Sequence, residues 1–197
     1  MSRSSNKHLK PNKKRLEPTM RKITESTFVS LDGVTEDPRA WAMGYFNENA
    51  QQAALEQLQV SDGMLMGRGT YEYFTAALPT GSPYADAINA IRKYVFSSTL
   101  ERADWNNSTI IRDDPVAAIN ELKQHDGRDL ILYGHGRLSQ TLLEHHLLDE
   151  IRFAVHPLLL TARAAGRGNG QTPPLKLIAA TPLPSGVVAL SYQPDHG

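Results

Sequence analysis

The sequence predicts an α/β fold whose mostly parallel central sheet is covered by helices and finished by an antiparallel C-terminal hairpin. Three observations carry that reading. The chain has 197 residues, 40% of them hydrophobic, enough for one large domain with a substantial core. From residue 23 onward short β-rich runs alternate with helical segments, the rhythm of strands joined by helical crossovers. In the last third the rhythm gives way to alternating apolar and polar residues, and between residues 176–180 and 187–192 sits the turn-forming Pro182-Leu183-Pro184-Ser185-Gly186, as in an antiparallel hairpin.

Residues 23–31 read as the first strand, which stops at Asp32-Gly33, a turn dipeptide. A loop holding Pro38 and Trp41 follows. Residues 48–60, rich in Ala, Gln, Glu and Leu, predict a helix because these side chains lose little freedom in one. Residues 64–66 predict a short buried strand running into Gly67, and 68–76 a helix. After a Pro/Gly/Ser loop at 79–83 another helix runs to residue 91, followed by strands at 93–96 and 109–111. Asp114 offers an acceptor for free helix N–H groups and Pro115 has its φ preset, so a helix starts there, and Gly127 is read as its end. Residues 130–133 form the next strand, broken by Gly134-His135-Gly136, after which Leu138, Leu142 and Leu143 share one helix face. Ile151, Phe153 and Val155 alternate with Arg152 and His156, and Val188, Leu190 and Tyr192 alternate likewise, as in half-covered strands. Residues 161–173, with Gly166, Gly168, Gly170 and Pro173, read as a mobile loop.

Composition narrows the function classes. With no cysteine, a disulfide scaffold and a cysteine-based zinc site are both excluded. No run of 18 apolar residues and no apolar leader stretch occur, so a cytoplasmic protein without membrane attachment is expected. Lys+Arg and Asp+Glu are equal at 21 each, but unevenly placed. Residues 1–22 hold eight basic side chains against Glu17 alone, leaving 13 basic and 20 acidic residues in 23–197. Residues 1–19 are therefore expected to be a disordered basic extension ahead of a domain at 20–197. The extension is either a solvated tail or an arm for nucleic acid or a membrane surface, whereas the acidic body does not suit a nucleic-acid groove.

Three segments each lie just past the carboxyl end of a strand, the edge at which open α/β sheets bind ligands. Gly67-Arg68-Gly69-Thr70 is a strand-to-helix turn with backbone N–H groups, a guanidinium and a hydroxyl; it is either a capped turn or a phosphate site. Ser97-Ser98-Thr99 offers hydroxyls suited to a ribose or its phosphate, although serines also commonly end strands. Gly134-His135-Gly136-Arg137 is a glycine-flanked turn that can cradle a pyrophosphate, or simply a tight turn. Together on one edge they favour a single dinucleotide site. P-loop, G-x-S-x-G and H-E-x-x-H signatures are absent. His145 and His146 are adjacent on one helix and point about 100° apart, so no metal site is expected.

With these segments in this order the chain resembles the dihydrofolate reductase superfamily, in particular its branch similar to the C-terminal reductase domain of bacterial riboflavin biosynthesis. The resemblance is carried by Ser30-Leu31-Asp32-Gly33, Met66-Gly67-Arg68-Gly69-Thr70-Tyr71-Glu72, Lys93-Tyr94-Val95-Phe96-Ser97, Gly134-His135-Gly136-Arg137-Leu138, Leu147-Leu148-Asp149-Glu150 and Leu183-Pro184-Ser185-Gly186-Val187. It implies a three-layer α/β/α dihydrofolate reductase-like fold that binds NADPH, with NADH as the alternative cofactor, across the sheet edge. In such proteins the turn matching Gly67, Arg68 and Thr70 holds cofactor phosphates, and the segment matching Ser97 and Ser98 faces the adenosine end. The turn matching Gly134, His135, Gly136, Arg137 and Leu138 embraces the pyrophosphate and approaches the nicotinamide. Homodimers are frequent in the branch. Ser98 stands where many relatives carry arginine, and neither Glu48 nor Glu56 aligns with the helix carboxylate of dihydrofolate reductases proper.

The function expected is hydride transfer from a nicotinamide cofactor to a C=N or C=O of a small, pterin- or pyrimidine-like heterocycle. The alternative is a nucleotide-binding module without turnover. Asp32, at the same sheet edge, either positions the substrate and relays a proton or merely makes an Asp-Gly turn.

Overall fold

Met64, Leu65 and Met66 are consecutive and fully buried, yet they face two different cores. Successive side chains of a strand point to opposite faces, so a strand buried throughout must be covered on both. Met64 and Met66 pack with Leu58, Tyr71, Ile88 and Trp105, whereas Leu65 packs with Ile119, Leu142 and Leu148. Helices therefore flank the sheet on either side and make three layers.

The computed structural model describes residues 20–161 and 173–195. The basic extension expected at 1–19 and most of the loop expected at 161–173 lie outside the described residues. The strands are β1 (Ile23–Ser30), β2 (Ser61–Gly67), β3 (Arg92–Phe96), β4 (Ser108–Ile111), β5 (Asp129–Tyr133), β6 (Glu150–His156), β7 (Leu175–Pro182) and β8 (Val188–Pro194). They form one sheet in the order β4-β3-β2-β5-β1-β6-β8-β7. Pairings from β4 through to β6 are parallel, and β8 runs antiparallel to both β6 and β7. The helices are α1 (Pro38–Trp41), α2 (Glu48–Gln59), α3 (Arg68–Ala76), α4 (Pro83–Ala90), α5 (Pro115–Gln124) and α6 (Arg137–Glu144). The fold is thus the expected α/β sandwich, mostly parallel with an antiparallel C-terminal hairpin.

Local chemistry fixes most boundaries. The side chains of Asn47, Ser82 and Asp114 accept from the N–H groups of Ala50, Ala85 and Ala117 at 3.2, 3.2 and 3.1 Å, capping α2, α4 and α5. At the hairpin, Gly186 has a φ of +86° and closes the turn by donating its N–H to the Leu183 carbonyl at 2.9 Å.

Two expectations change. The stretch read as a loop at 34–47 contains α1 and a single 3-10 turn at Met43–Tyr45. Both are too short to show a helical period, and Pro38 sits at the first turn of α1, where its missing N–H costs nothing. Gly127 does not end α5, which stops at Gln124 with His125 extended. A β-carbon on Gly127 would lie 2.6 Å from Asp62 Oδ2 and 3.1 Å from Arg21 Cζ, so glycine is needed where the Arg21–Asp62 ion pair passes beneath the chain.

Candidate functional site

The carboxyl ends of β1, β2, β3 and β5 open into one cleft of about 1270 Å³. Gly67, Arg68, Thr70, Ser97, Ser98, Gly134, His135, Gly136, Arg137 and Leu138 all line it; Asp32 does not. The three separate segments are also tied to one another. Thr70 Oγ1 donates to the Tyr133 carbonyl at 3.3 Å, which brings the first turn against the third. Arg68 donates to Thr99 Oγ1 at 2.9 Å, joining the first to the second. Ser97 Oγ accepts from the N–H groups of Thr99 and Leu100 at 3.2 and 3.0 Å, leaving its own proton to donate.

Glycine is required at Gly134 for two reasons. Its φ is +88°, and a β-carbon there would meet Thr70 Oγ1 at 2.5 Å. The neighbouring helices share a second property. Both α3 and α6 begin at a glycine, Gly67 and Gly136, and neither has a side-chain cap, whereas α2, α4 and α5 do. Their free N–H groups and the positive ends of their dipoles suit an anion in the cleft. Arg68, Arg112 and Arg137 add cations along the same wall.

Asp32 stands beside the cleft and does not line it. Its carboxylate accepts from Ser30 Oγ at 2.6 Å and from the Leu160 N–H at 3.0 Å, and these bonds hold it below the usual carboxylate range. It staples the β1 exit to the chain beyond β6, outside the cleft.

Sequence reasoning missed Glu25. This β1 carboxylate has no exposed surface; its Oε1 lies 2.7 Å from His135 Nδ1, and its Oε2 accepts from Ser139 Oγ. The hydrogen bond that His135 donates to the Glu25 carboxylate raises the imidazole above its ordinary range against the opposing effect of burial. The signal was the alternation in β1, where Ile23, Glu25 and Thr27 share the buried face. Thr27 Oγ1 is also buried and has no hydrogen-bond partner, and Thr27 lines the cleft.

Part of the cleft is aromatic, with Phe28, Phe46 and Tyr84 and, from the body of α3, Tyr73 and Phe74 on its walls. Arg39 lies over the Tyr73 ring, 4.4 Å from its centre. The α1 segment is anchored by His156, whose ring sits 5.0 to 5.4 Å from those of Phe28, Trp41 and Tyr45 in edge-on contacts. Burial pushes His156 below the usual imidazole range. Glu48 and Glu56 of α2 are exposed and lie off the cleft. Among the described residues no group of three or more His, Cys, Asp or Glu could hold a metal ion, and no helix is long and apolar enough to cross a membrane.

A long cleft on the carboxyl edge of a parallel sheet, fed by two uncapped helices, defines the dihydrofolate reductase-like class. Within it the chain belongs to the family described as the RibD C-terminal domain, which matches residues 21–189. It is 28% identical over 184 residues to the uncharacterized protein YyaP of Bacillus subtilis (strain 168), a match that covers 87% of this chain and 94% of that one. A solved structure from Shewanella sp. PV-4, assigned to riboflavin biosynthesis, superposes with a TM-score of 0.69 at 20% identity, covering 89% of this chain and 100% of that one. A pyrimidine reductase-like protein of Corynebacterium diphtheriae gives 0.63 at 10% identity, covering 90% and 93%. RibD of Acinetobacter baumannii gives 0.65 at 17% identity, with 91% of this chain matching 59% of that longer one. At these identities the structural likeness establishes the fold.

Proposed function

We propose that the chain is an NADPH-dependent reductase that delivers hydride to a C=N or C=O of a small pterin- or pyrimidine-like heterocycle. The observation that carries this reading is the meeting of all three sequence-predicted segments on one cleft with two uncapped helix N-termini. Membership in the RibD C-terminal domain family supports it.

The residues present fit the cofactor. The donor set is one of backbone N–H groups, hydroxyls and guanidinium groups, the chemistry that phosphate oxygens need. When bound, the nicotinamide supplies the hydride, and the protein's part is to bind, orient and exclude water. The N-termini of α3 and α6 would hold phosphate oxygens, with Arg68, Arg137 and Arg112 neutralising charge that the acidic body would otherwise repel. Ser97 and Ser98 would face the adenosine end. The aromatic part, from Phe28 to Tyr84, would stack a flat heterocycle and keep it dry.

The functional domain is proposed to span 20–197 and to work in the cytoplasm as a homodimer. The exposed apolar residues Leu175, Leu177 and Ile178 on edge strand β7 support pairing with a second copy. A second reading, a nucleotide-binding module without turnover, draws on the placement of Glu48 and Glu56 away from the cleft. Titration with NADPH and with NADH, followed by cofactor fluorescence, tests the binding. Oxidation of bound NADPH over a panel of pterins and aminopyrimidines then separates enzyme from binding module. Absence of binding by either cofactor would sink the oxidoreductase reading.

A further inference from the structure

Glu25 presents an energetic problem. A carboxylate with no exposed surface stays ionised only if a nearby positive charge offsets its lost hydration. Neither lysine nor arginine bonds to it among the described residues; its partners are His135, through Nδ1 at 2.7 Å, and the Ser139 hydroxyl. The one bonded partner of Glu25 that can carry a positive charge is His135. That ring is 34% exposed while Glu25 is sealed, so the exposed edge is the one turned away from Glu25, which carries Nε2. Nε2 has no hydrogen-bond partner among the described residues, and His135 sits between Gly134 and Gly136, in the turn that feeds α6 and lines the cleft.

We propose that Glu25 and His135 make the cleft take up its anionic dinucleotide together with one proton, so that the imidazolium is the binding form. The inference rests on the NADPH reading above and adds a residue pair to it. Glu25 is a positioning residue: it holds Nδ1–H and turns Nε2 outward, where Nε2 carries a proton only in the imidazolium, as a buried carboxylate orients a histidine elsewhere in enzyme chemistry. His135 is the group that touches the ligand. The surroundings agree in sign. From the loop after β1, Glu36 adds a second attraction for the imidazolium, α6 contributes the neutral Ser139, and β6 covers the ring with Phe153, 5.9 Å between centres. Arg137, the next cation along α6, lines the same cleft and would face the same anion. By linkage, whatever factor the proton adds to ligand affinity the ligand adds to proton affinity.

The test is calorimetric titration of the full chain with NADPH at about pH 8, in two buffers of different ionisation heat, beside the same titration of His135→Asn. Wild type should take up a fraction of a proton per ligand, and the variant none. Across the range from about pH 6.5 to 9 wild-type affinity should fall about tenfold, the loss expected for one charge-assisted hydrogen bond, while His135→Asn stays flat relative to it. Titration of the cofactor's own 2′-phosphate is common to both proteins and cancels. Glu25→Gln should shift the pH midpoint downward, and ¹⁵N-histidine spectra of wild type, which need no variant, should report Nδ1–H at neutral pH. Binding with no proton uptake by wild type overturns this inference and leaves the reductase reading intact; no NADPH binding at any pH overturns both.

Discussion

Thr70 and Gly134 are in contact across the cleft floor: the Thr70 hydroxyl donates to the carbonyl of Tyr133, and a β-carbon on Gly134 would stand 2.5 Å from Thr70 Oγ1. The contact locks the turn before α3 to the turn before α6, so the two uncapped helix ends converge on one ligand. Gly134→Ala should therefore cost about 2 kcal/mol of stability, from its positive φ and the clash together. NADPH affinity should fall with it. Gly136→Ala is the control for stability alone, because φ there is −144° and nothing lies within 4 Å of the added carbon. Thermal unfolding of the two variants measures the difference, and cofactor fluorescence of Gly134→Ala the loss of affinity.

Asp32 is expected to matter for architecture alone. Its carboxylate is spent on Ser30 and the Leu160 N–H, outside the cleft. Asp32→Asn should leave NADPH affinity, and any turnover found, unchanged. A drop in either at full folding would return Asp32 to the mechanism.

How much of this was legible in sequence follows from the range of each interaction. The Asp114-Pro115 start of α5 and the Gly186 hairpin turn are decided within a few residues, and both were readable. The cleft-lining turns were readable for the same reason, since Gly67 and Gly136 mark strand-to-helix junctions whatever lies beyond them. Glu25 was not, because its partners His135 and Ser139 lie 110 and 114 residues away and only the completed sheet brings them together. Gly127 was misread for a like reason. A glycine after a helix is a local stop signal, but this one answers to Asp62 and Arg21, which approach it from β2 and from the start of the chain's first strand.

Gly127→Ala is accordingly predicted to act at a distance from function. The added carbon would press on Asp62 and displace the Arg21 guanidinium, whose residue is 7% exposed and which also donates to the Arg128 carbonyl at 2.5 Å. Arg21 is buried but Asp62 is partly exposed, so disturbing the pair should cost about 1–2 kcal/mol. Chemical denaturation should show that loss, while NADPH affinity of the folded fraction holds, because the pair lies at the opposite end of the sheet from the cleft.

His135 and the buried His156 give stability opposite pH dependences. His135 has its proton affinity raised by Glu25, so the folded state holds a proton that the unfolded chain releases above the ordinary imidazole value of 6.5; its contribution is complete below that value and is lost as pH rises through the raised one. His156 has its affinity lowered by burial among Phe28, Trp41 and Tyr45. There the unfolded chain binds the proton first, so stability present above 6.5 is lost as pH falls through that value and below it. Thermal midpoints should therefore peak near neutrality. Glu25→Gln should flatten the alkaline side and His156→Phe the acid side, each leaving the other limb as it was. On the acid side hydrogen exchange should rise first in α1, the segment that His156 holds against the sheet; uniform exchange across α1 and α5 below pH 6.5 would show that His156 is no such anchor.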